Sequence, residues 1–330
     1  MKKTPTSTES PAAPASPIRT LTLHTPLGHR LAEHAIALIA LGAVLALFAI
    51  FFFVLREALP LLWEPGSLTD LFVPRRWSGY DEVALVWQPI GPEPKFNVLP
   101  LFVGTLKVTV IAMAISGPVG IACAIYVAKL APRRLREWLK PTIELLAAVP
   151  SVVLGFFALV VLASAVESIF GFTYRLNGFV AALGLSLAVI PIVFTITEDA
   201  LTAVPRSLEE AAMALGARRW QVVLRVVVPA ALPGIAAAVV LGFGRAIGET
   251  MIVLMASGNA AVVQLFDPTT SVRTVTATIA GELGEVAQGD RHWRVIFLLG
   301  ALLLLVTWGL NRVGSFVIGR LRRRLSAEAD

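Results

Sequence analysis

Cysteine is nearly absent from this 330-residue chain: Cys123 stands alone, inside an apolar run. One thiol excludes a disulfide framework or a cysteine-based metal site within one chain, and it reads as ordinary packing. Histidine is scarce too, and His24, His29, His34 and His292 show no metal-ligand spacing. No Gly-x-x-x-x-Gly-Lys-Ser/Thr loop occurs, so ATP, if it is used, is bound by a separate chain. Charge is thin: 15% of residues are charged against 56% hydrophobic, and mean hydropathy is +0.77. Those values argue against a water-soluble globule and put the chain in a bilayer. No internal repeat of fixed period is evident, which leaves a solenoid or an obvious inverted-repeat carrier without support.

What the chain does have is six long apolar runs: His34 to Leu55, Leu99 to Ala128, Thr142 to Ala163, Phe179 to Thr197, Ala230 to Ala256 and Trp293 to Phe316. At 1.5 Å per residue each reaches across, or nearly across, a hydrocarbon layer of ~30 Å, so the expected fold is all-α and polytopic with six transmembrane helices. The net charge of +6 sits in short clusters between the runs, which makes it a topological signal rather than a nucleic-acid stripe. Lys2, Lys3, Arg19 and Arg30 precede the first run, Lys129 to Lys140 follow the second, and Arg312 to Arg324 follow the last. These sides are expected to face the cytoplasm, both termini included.

The start, Met1-Lys2-Lys3, resembles the n-region of a signal peptide, but residues up to Pro17 are rich in Pro, Ser, Thr and Ala and no apolar core follows promptly. The expectation is a disordered cytoplasmic tail over 1–30 and an uncleaved first helix over 31–56. An outer insertion over 57–98 follows, then a core of five helices over 99–318 and a basic tail over 319–330. The insertion carries six prolines, which argue against a further helix, and Trp63, Trp77 and Trp87, which suit the membrane interface. A passive loop and a docking surface for an outer partner are both open readings of it. In the last outer connection, Val272 to Ile279 is expected to form a short helix at or in the membrane surface.

Between the fourth and fifth runs, Ser207 to Trp220 reads as two short helices joined at a glycine. Glu209 and Glu210 in the first turn complement the helix dipole, while Ala211, Ala212, Ala214 and Leu215 favour helix and present a small-residue surface. Gly216 can take the positive φ that ends the first helix. Such a helix is shaped to lie in another protein's groove; the bland alternative is an alanine-rich helix in a long loop. The segment resembles the permease subunits of bacterial ABC importers, whose coupling segment reads Glu-Ala-Ala, three residues, Gly, nine residues, then an aliphatic stretch ending in Pro. Glu210-Ala211-Ala212, Gly216 and Val226 to Pro229 match that spacing. The resemblance implies the type I ABC importer permease fold, with 200–229 as a cytoplasmic element coupled to a partner ATPase through Glu209, Glu210, Ala211, Ala212 and Gly216. It leaves the cargo open.

Arg245 lies inside the fifth run, where a charge costs roughly 2.5–3.5 kcal/mol even on the lenient insertion scale. Glu249 follows one helical turn later on the same face. The pair is either a structural lock between spans or a border of the translocation path, offering a guanidinium to an oxyanion. The run Arg245 to Thr250 resembles the phosphate-specific branch of these permeases, as do Leu99-Pro100 with Gly104-Thr105-Leu106, Glu144 to Ser151, and Val204 to Ser207. Met251-Ile252-Val253 and the long outer insertion look more like its C-type subunit than its A-type. The resemblance implies an importer of inorganic phosphate made of this chain, a second permease subunit, an ATPase dimer and a periplasmic phosphate-binding protein, in the bacterial inner membrane, with no cofactor or metal of its own. A permease for sulfate or molybdate, and an ATP-independent channel or carrier, remain alternatives. Lys107 and Glu144, near the ends of their runs, read as snorkelling or structural; Pro150 and Pro191 read as packing or kink positions.

Overall fold

The structure, a computed structural model, describes residues 27–76, 83–261, 263–264 and 267–327. Most of the expected tail, and Trp77, lie outside the described residues. The chain divides into two compact units, residues 1–50 and 51–330. Helix α1, Leu27–Leu62, begins inside what was expected to be tail, and residues 31–50 of it are exposed, apolar except at Glu33 and His34.

In the second unit, α1 ends beyond Pro60 and a short helix α2 forms at Ser67–Phe72, so the prolines did not exclude helix here. Two small antiparallel hairpins follow, β1 (Arg75–Arg76) with β2 (Val83–Ala84) and β3 (Trp87–Gln88) with β4 (Lys95–Phe96). Helix α3, Leu99–Ile125, opens with Pro100 in its first turn, where the missing N–H costs nothing. It runs into a π-helical turn, Tyr126–Leu130.

The third apolar run does not form one helix. Pro150 lacks an N–H and pushes Val149 out of helical geometry, so α4 (Arg133–Ala148) stops and α5 (Ser151–Phe157) begins, continuing through a π turn at Ala158–Leu162 into α6, Ala163–Phe170. The span is therefore Ser151–Phe170 rather than Thr142 to Ala163. Helix α7, Gly178–Thr202, is capped by Asn177, whose side chain accepts from the Val180 N–H at 2.9 Å. Helices α8 (Arg206–Ala214) and α9 (Arg219–Val222) lead through a π turn, Val223–Val227, into α10, Val228–Ile247. The fifth run also breaks, and α11 spans Met251–Ala256. Helix α12, Val275–Glu282, sits where a short helix was expected. Helix α13, Arg291–Ala327, stays helical through most of the expected basic tail. Among the described residues, six helical segments are long and apolar enough to cross a membrane.

Helix α7 is central, packed by α3, α10, α4, α5 and α11. Apolar burial drives little helix association in lipid, so close backbone approach through small residues carries the packing. A Cβ on Gly184 would stand 2.8 Å from the Ala158 Cβ, and one on Gly120 2.9 Å from the Val193 Cβ. Around these contacts lies a buried cluster that includes Val108, Met113, Ala158, Leu185, Val189 and Val193. Large apolar side chains such as Leu106, Phe156, Leu241 and Leu305 point outward, the arrangement a lipid solvent permits.

Candidate functional site

Two constellations sit at opposite ends of α10. The first is the α8–α9 cap. Gly216 has φ +85°, and its N–H donates to Met213 O at 2.9 Å while the Ala217 N–H donates to Ala212 O at 3.2 Å. That is the double bond pattern of a helix closed by a left-handed glycine, and it satisfies carbonyls the helix end would leave orphaned.

The cap sorts the expected coupling residues by face. Glu209 and Ala212, three apart, turn inward: Glu209 pairs with Lys129 of the π turn after α3, and Ala212 is half-buried among Ala124, Val127 and Val222. Glu210, Ala211 and Gly216 are exposed, as are Ala214 and Leu215, so the outward face of the motif is 210, 211, 214 and 215. Met213 and Leu208 add exposed apolar surface, and the Leu215 side chain is 90% exposed. An apolar patch of this kind on a polar helix marks an interaction site.

Beside the cap, the Glu198 carboxylate of α7, only 1% exposed, accepts from Arg136 Nη2 at 2.9 Å and Lys140 Nζ at 2.8 Å. These bonds fasten the amphipathic α4 onto α7, and the bond to Glu198 holds the Lys140 ammonium above its ordinary range. Glu198 was missed in the sequence because it falls one residue past the apolar run; its charge at a span end was the available signal.

The second constellation lies ~25 Å along the axis of α10 from Val228, at 1.5 Å per residue. Arg245 Nη1 is 2.7 Å from Glu249 Oε2; the Arg245 side chain is 43% exposed and that of Glu249 only 2%. The two expected residues are brought together, but at the end of a helix. Gly248 closes α10, and Thr250 precedes α11. The guanidinium N–H is not aimed at Oε2, which has no hydrogen-bond donor of its own. The contact is therefore an ion pair that leaves the guanidinium's remaining donors unclaimed by it.

The Glu249 backbone carbonyl accepts from Thr276 Oγ1 of α12 at 2.7 Å. A cavity of about 390 Å³ opens beside it, lined by Thr250, Thr276, Ile279, Ala280, Leu283 and Gly284. What this end can do chemically is present a cation restrained by a buried carboxylate; the opening is bordered by Thr250 and by Thr276, which bonds the Glu249 backbone.

Two further polar centres are built by long-range contacts. Lys107 takes the structural of its two readings: it is 8% exposed, and its ammonium donates to Gln264 O at 2.8 Å, Thr270 Oγ1 at 2.9 Å and Asp267 O. Trp87 is 5% exposed rather than interfacial. Its Nε1 donates to Glu282 Oε1 at 3.1 Å, and Arg273 and His292 meet the same carboxylate at 3.0 and 2.9 Å. Glu144 is half-exposed on α4 and 3.9 Å from Lys140. Among the described residues no group of three or more His, Cys, Asp or Glu is placed to hold a metal ion.

Comparison with known proteins places this arrangement. The family described as "Binding-protein-dependent transport system inner membrane component" matches residues 117–327. A probable ABC transporter permease protein, YqgH of Bacillus subtilis, is 36% identical over 225 residues, covering 68% of this chain and 72% of that one. The phosphate transport system permease protein PstC of Mesorhizobium japonicum is 35% identical over 262 residues, covering 73% and 78%. PstC 1 of Mycobacterium tuberculosis is 32% identical over 308 residues, covering 86% of each chain. Among solved structures, a bacterial ABC transporter involved in import of the polysaccharide alginate aligns with a TM-score of 0.53 at 17% identity, over 88% of this chain and 99% of that one. The MetNI methionine ABC transporter in an inward facing conformation aligns at 0.51 and 20% identity, over 68% and 94%. At those identities the likeness is one of fold. The six-span architecture, the glycine-closed cap and these matches together establish that the chain belongs to the binding-protein-dependent transport system inner membrane component family.

Proposed function

We propose that this chain is the C-type permease subunit of an ATP-driven importer of inorganic phosphate, and that Arg245 contacts the anion as it passes. The observation that carries the reading is the pair at the α10–α11 break: a half-exposed guanidinium restrained by a buried carboxylate. The relatives named as phosphate permeases support the choice of cargo. Bidentate donation suits the planar fork of arginine to a phosphate, and a site of low dielectric strengthens each such bond.

In this reading the α8–α9 cap faces the cytoplasm with both termini, and residues 57–98 with α12 face the periplasm. The exposed face at 210, 211, 214 and 215 docks on an ATPase subunit, where ATP is bound and hydrolysed. Movement of α8 passes to α3 through Glu209 and Lys129, and along α10 to Arg245 as along a rod. A second permease subunit completes the path, and a periplasmic phosphate-binding protein delivers the anion.

The test separates a transport role from a structural one. Arg245→Gln is expected to abolish labelled phosphate uptake into vesicles carrying the full complex while leaving assembly intact. The double variant Arg245→Gln with Glu249→Gln removes the stranded carboxylate as well. If the double variant regains full uptake, Arg245 serves only to neutralise Glu249 and its contact with the anion is refuted.

A further inference from the structure

The break between α10 and α11 leaves a problem that the sequence solves from elsewhere. Where a helix is interrupted, the carbonyls of its last turn lose their intrahelical donors and need others if buried. Here the first backbone bond of α11 runs from the Leu254 N–H to Thr250 O. The Glu249 carbonyl is served by the hydroxyl of Thr276, which is 7% exposed and donates across 2.7 Å from α12. No other side-chain bond between α12 and residues 245–250 occurs among the described residues.

Helix α12 is itself held firmly at both ends. Its Val275 N–H donates to Thr105 Oγ1 of α3 at 3.0 Å, and a Cβ on Gly104 would collide with the Arg273 carbonyl just before α12, so α3 lies directly against it. At the other end Glu282 is gripped by Trp87, Arg273 and His292. Thr276 therefore reaches the Glu249 backbone from a fixed platform.

We infer that Thr276 is a positioning residue for transport: its hydroxyl fixes the Glu249 backbone, which sets where the Glu249 carboxylate, and through it the Arg245 guanidinium, stands. The inference rests on the transport reading of that pair. Within α12, Thr278 provides an internal control. It is fully buried, but its hydroxyl donates at 2.8 Å to the carbonyl of Thr274, the N-cap of the same helix, and has no bond to the pair.

The experiment uses the complete transporter in vesicles with its binding protein. Thr276→Val, nearly isosteric but without the hydroxyl, is expected to lower the maximal uptake rate about tenfold, the scale of one net hydrogen bond. The half-saturating external concentration should change less than about twofold, because capture precedes this step. Thr276→Ser should recover at least half the rate, and Thr278→Val should stay near the parent. Equal losses in the two valine variants, no recovery with serine, or full activity of Thr276→Val would each overturn the assignment. Should Thr276→Val fail to assemble, Thr276→Ala is read against Thr278→Ala in the same way. The comparison is made with whichever anion the parent complex moves. Failure of the parent to move phosphate thus counts against the cargo, and loss of the Thr276–Thr278 contrast counts against the positioning role.

Discussion

Replacing Gly216 isolates the cost of the cap from the cost of crowding. The residue has φ +85°, and a Cβ placed on it meets nothing within 4 Å. Alanine there therefore loses only the conformational term, about 1–2 kcal/mol for an L-residue in the left-handed region. Asparagine visits that region more readily and should lose less. Proline is restricted to φ near −65° and also deletes the N–H that donates to Met213 O at 2.9 Å, so it should lose the cap altogether. At 1.4 kcal/mol per factor of ten, the alanine cost lowers the population of intact cap relative to open cap about five- to thirtyfold. If docking on the ATPase requires the cap, stimulation of ATP hydrolysis by the loaded binding protein in the purified complex should fall in the order Gly, Asn, Ala, Pro. Membrane insertion of the permease should remain unchanged. Equal stimulation in all four variants, or an order that follows side-chain volume instead of φ, would refute the reasoning.

Other outcomes follow from the same contacts. Gly184→Leu should abolish accumulation of the protein and Gly184→Ala should cost about 1–3 kcal/mol of stability, since a Cβ there falls 2.8 Å from Ala158 Cβ and 3.0 Å from Ile252 Cγ2; thermal melts in detergent check both. Glu198→Gln should loosen α4 and raise its proteolysis, at about 1–2 kcal/mol once the partial exposure of Arg136 and Lys140 is discounted. Lys140, raised by Glu198, contributes stability that is present below its unfolded pKa and lost as pH rises through the folded one. Asp267, lowered chiefly by the Thr269 hydroxyl and N–H, contributes stability that is lost only as pH falls through its folded value. Neither group should therefore tilt the melting temperature between about pH 6 and 9, the span between the ordinary carboxylate and lysine ranges.

Hydropathy made the six spans legible because a bilayer imposes a length on every crossing helix. Arg245 and Glu249 were legible as a pair because four residues make one turn, and Gly216 because a helix end needs a left-handed residue. Pro150 was legible as a packing or kink position, and the structure makes it a full break; the break at Gly248 was not legible, since an apolar run reads the same whether its helix is continuous or interrupted. The positions of Lys107, Trp87 and Glu282 depend on partners 157 to 195 residues away along the chain, and no local pattern carries that information. The inward turn of Ala212 against the outward turn of Ala211 was hidden as well, because two neighbouring alanines differ only in what packs against them.

The central claim is tested most directly by labelled phosphate uptake into vesicles containing this chain with its second permease subunit, ATPase dimer and binding protein. Uptake is predicted to require ATP on the ATPase side, and to persist in excess sulfate and molybdate. Uptake that proceeds without ATP, or that sulfate suppresses efficiently, would contradict the account.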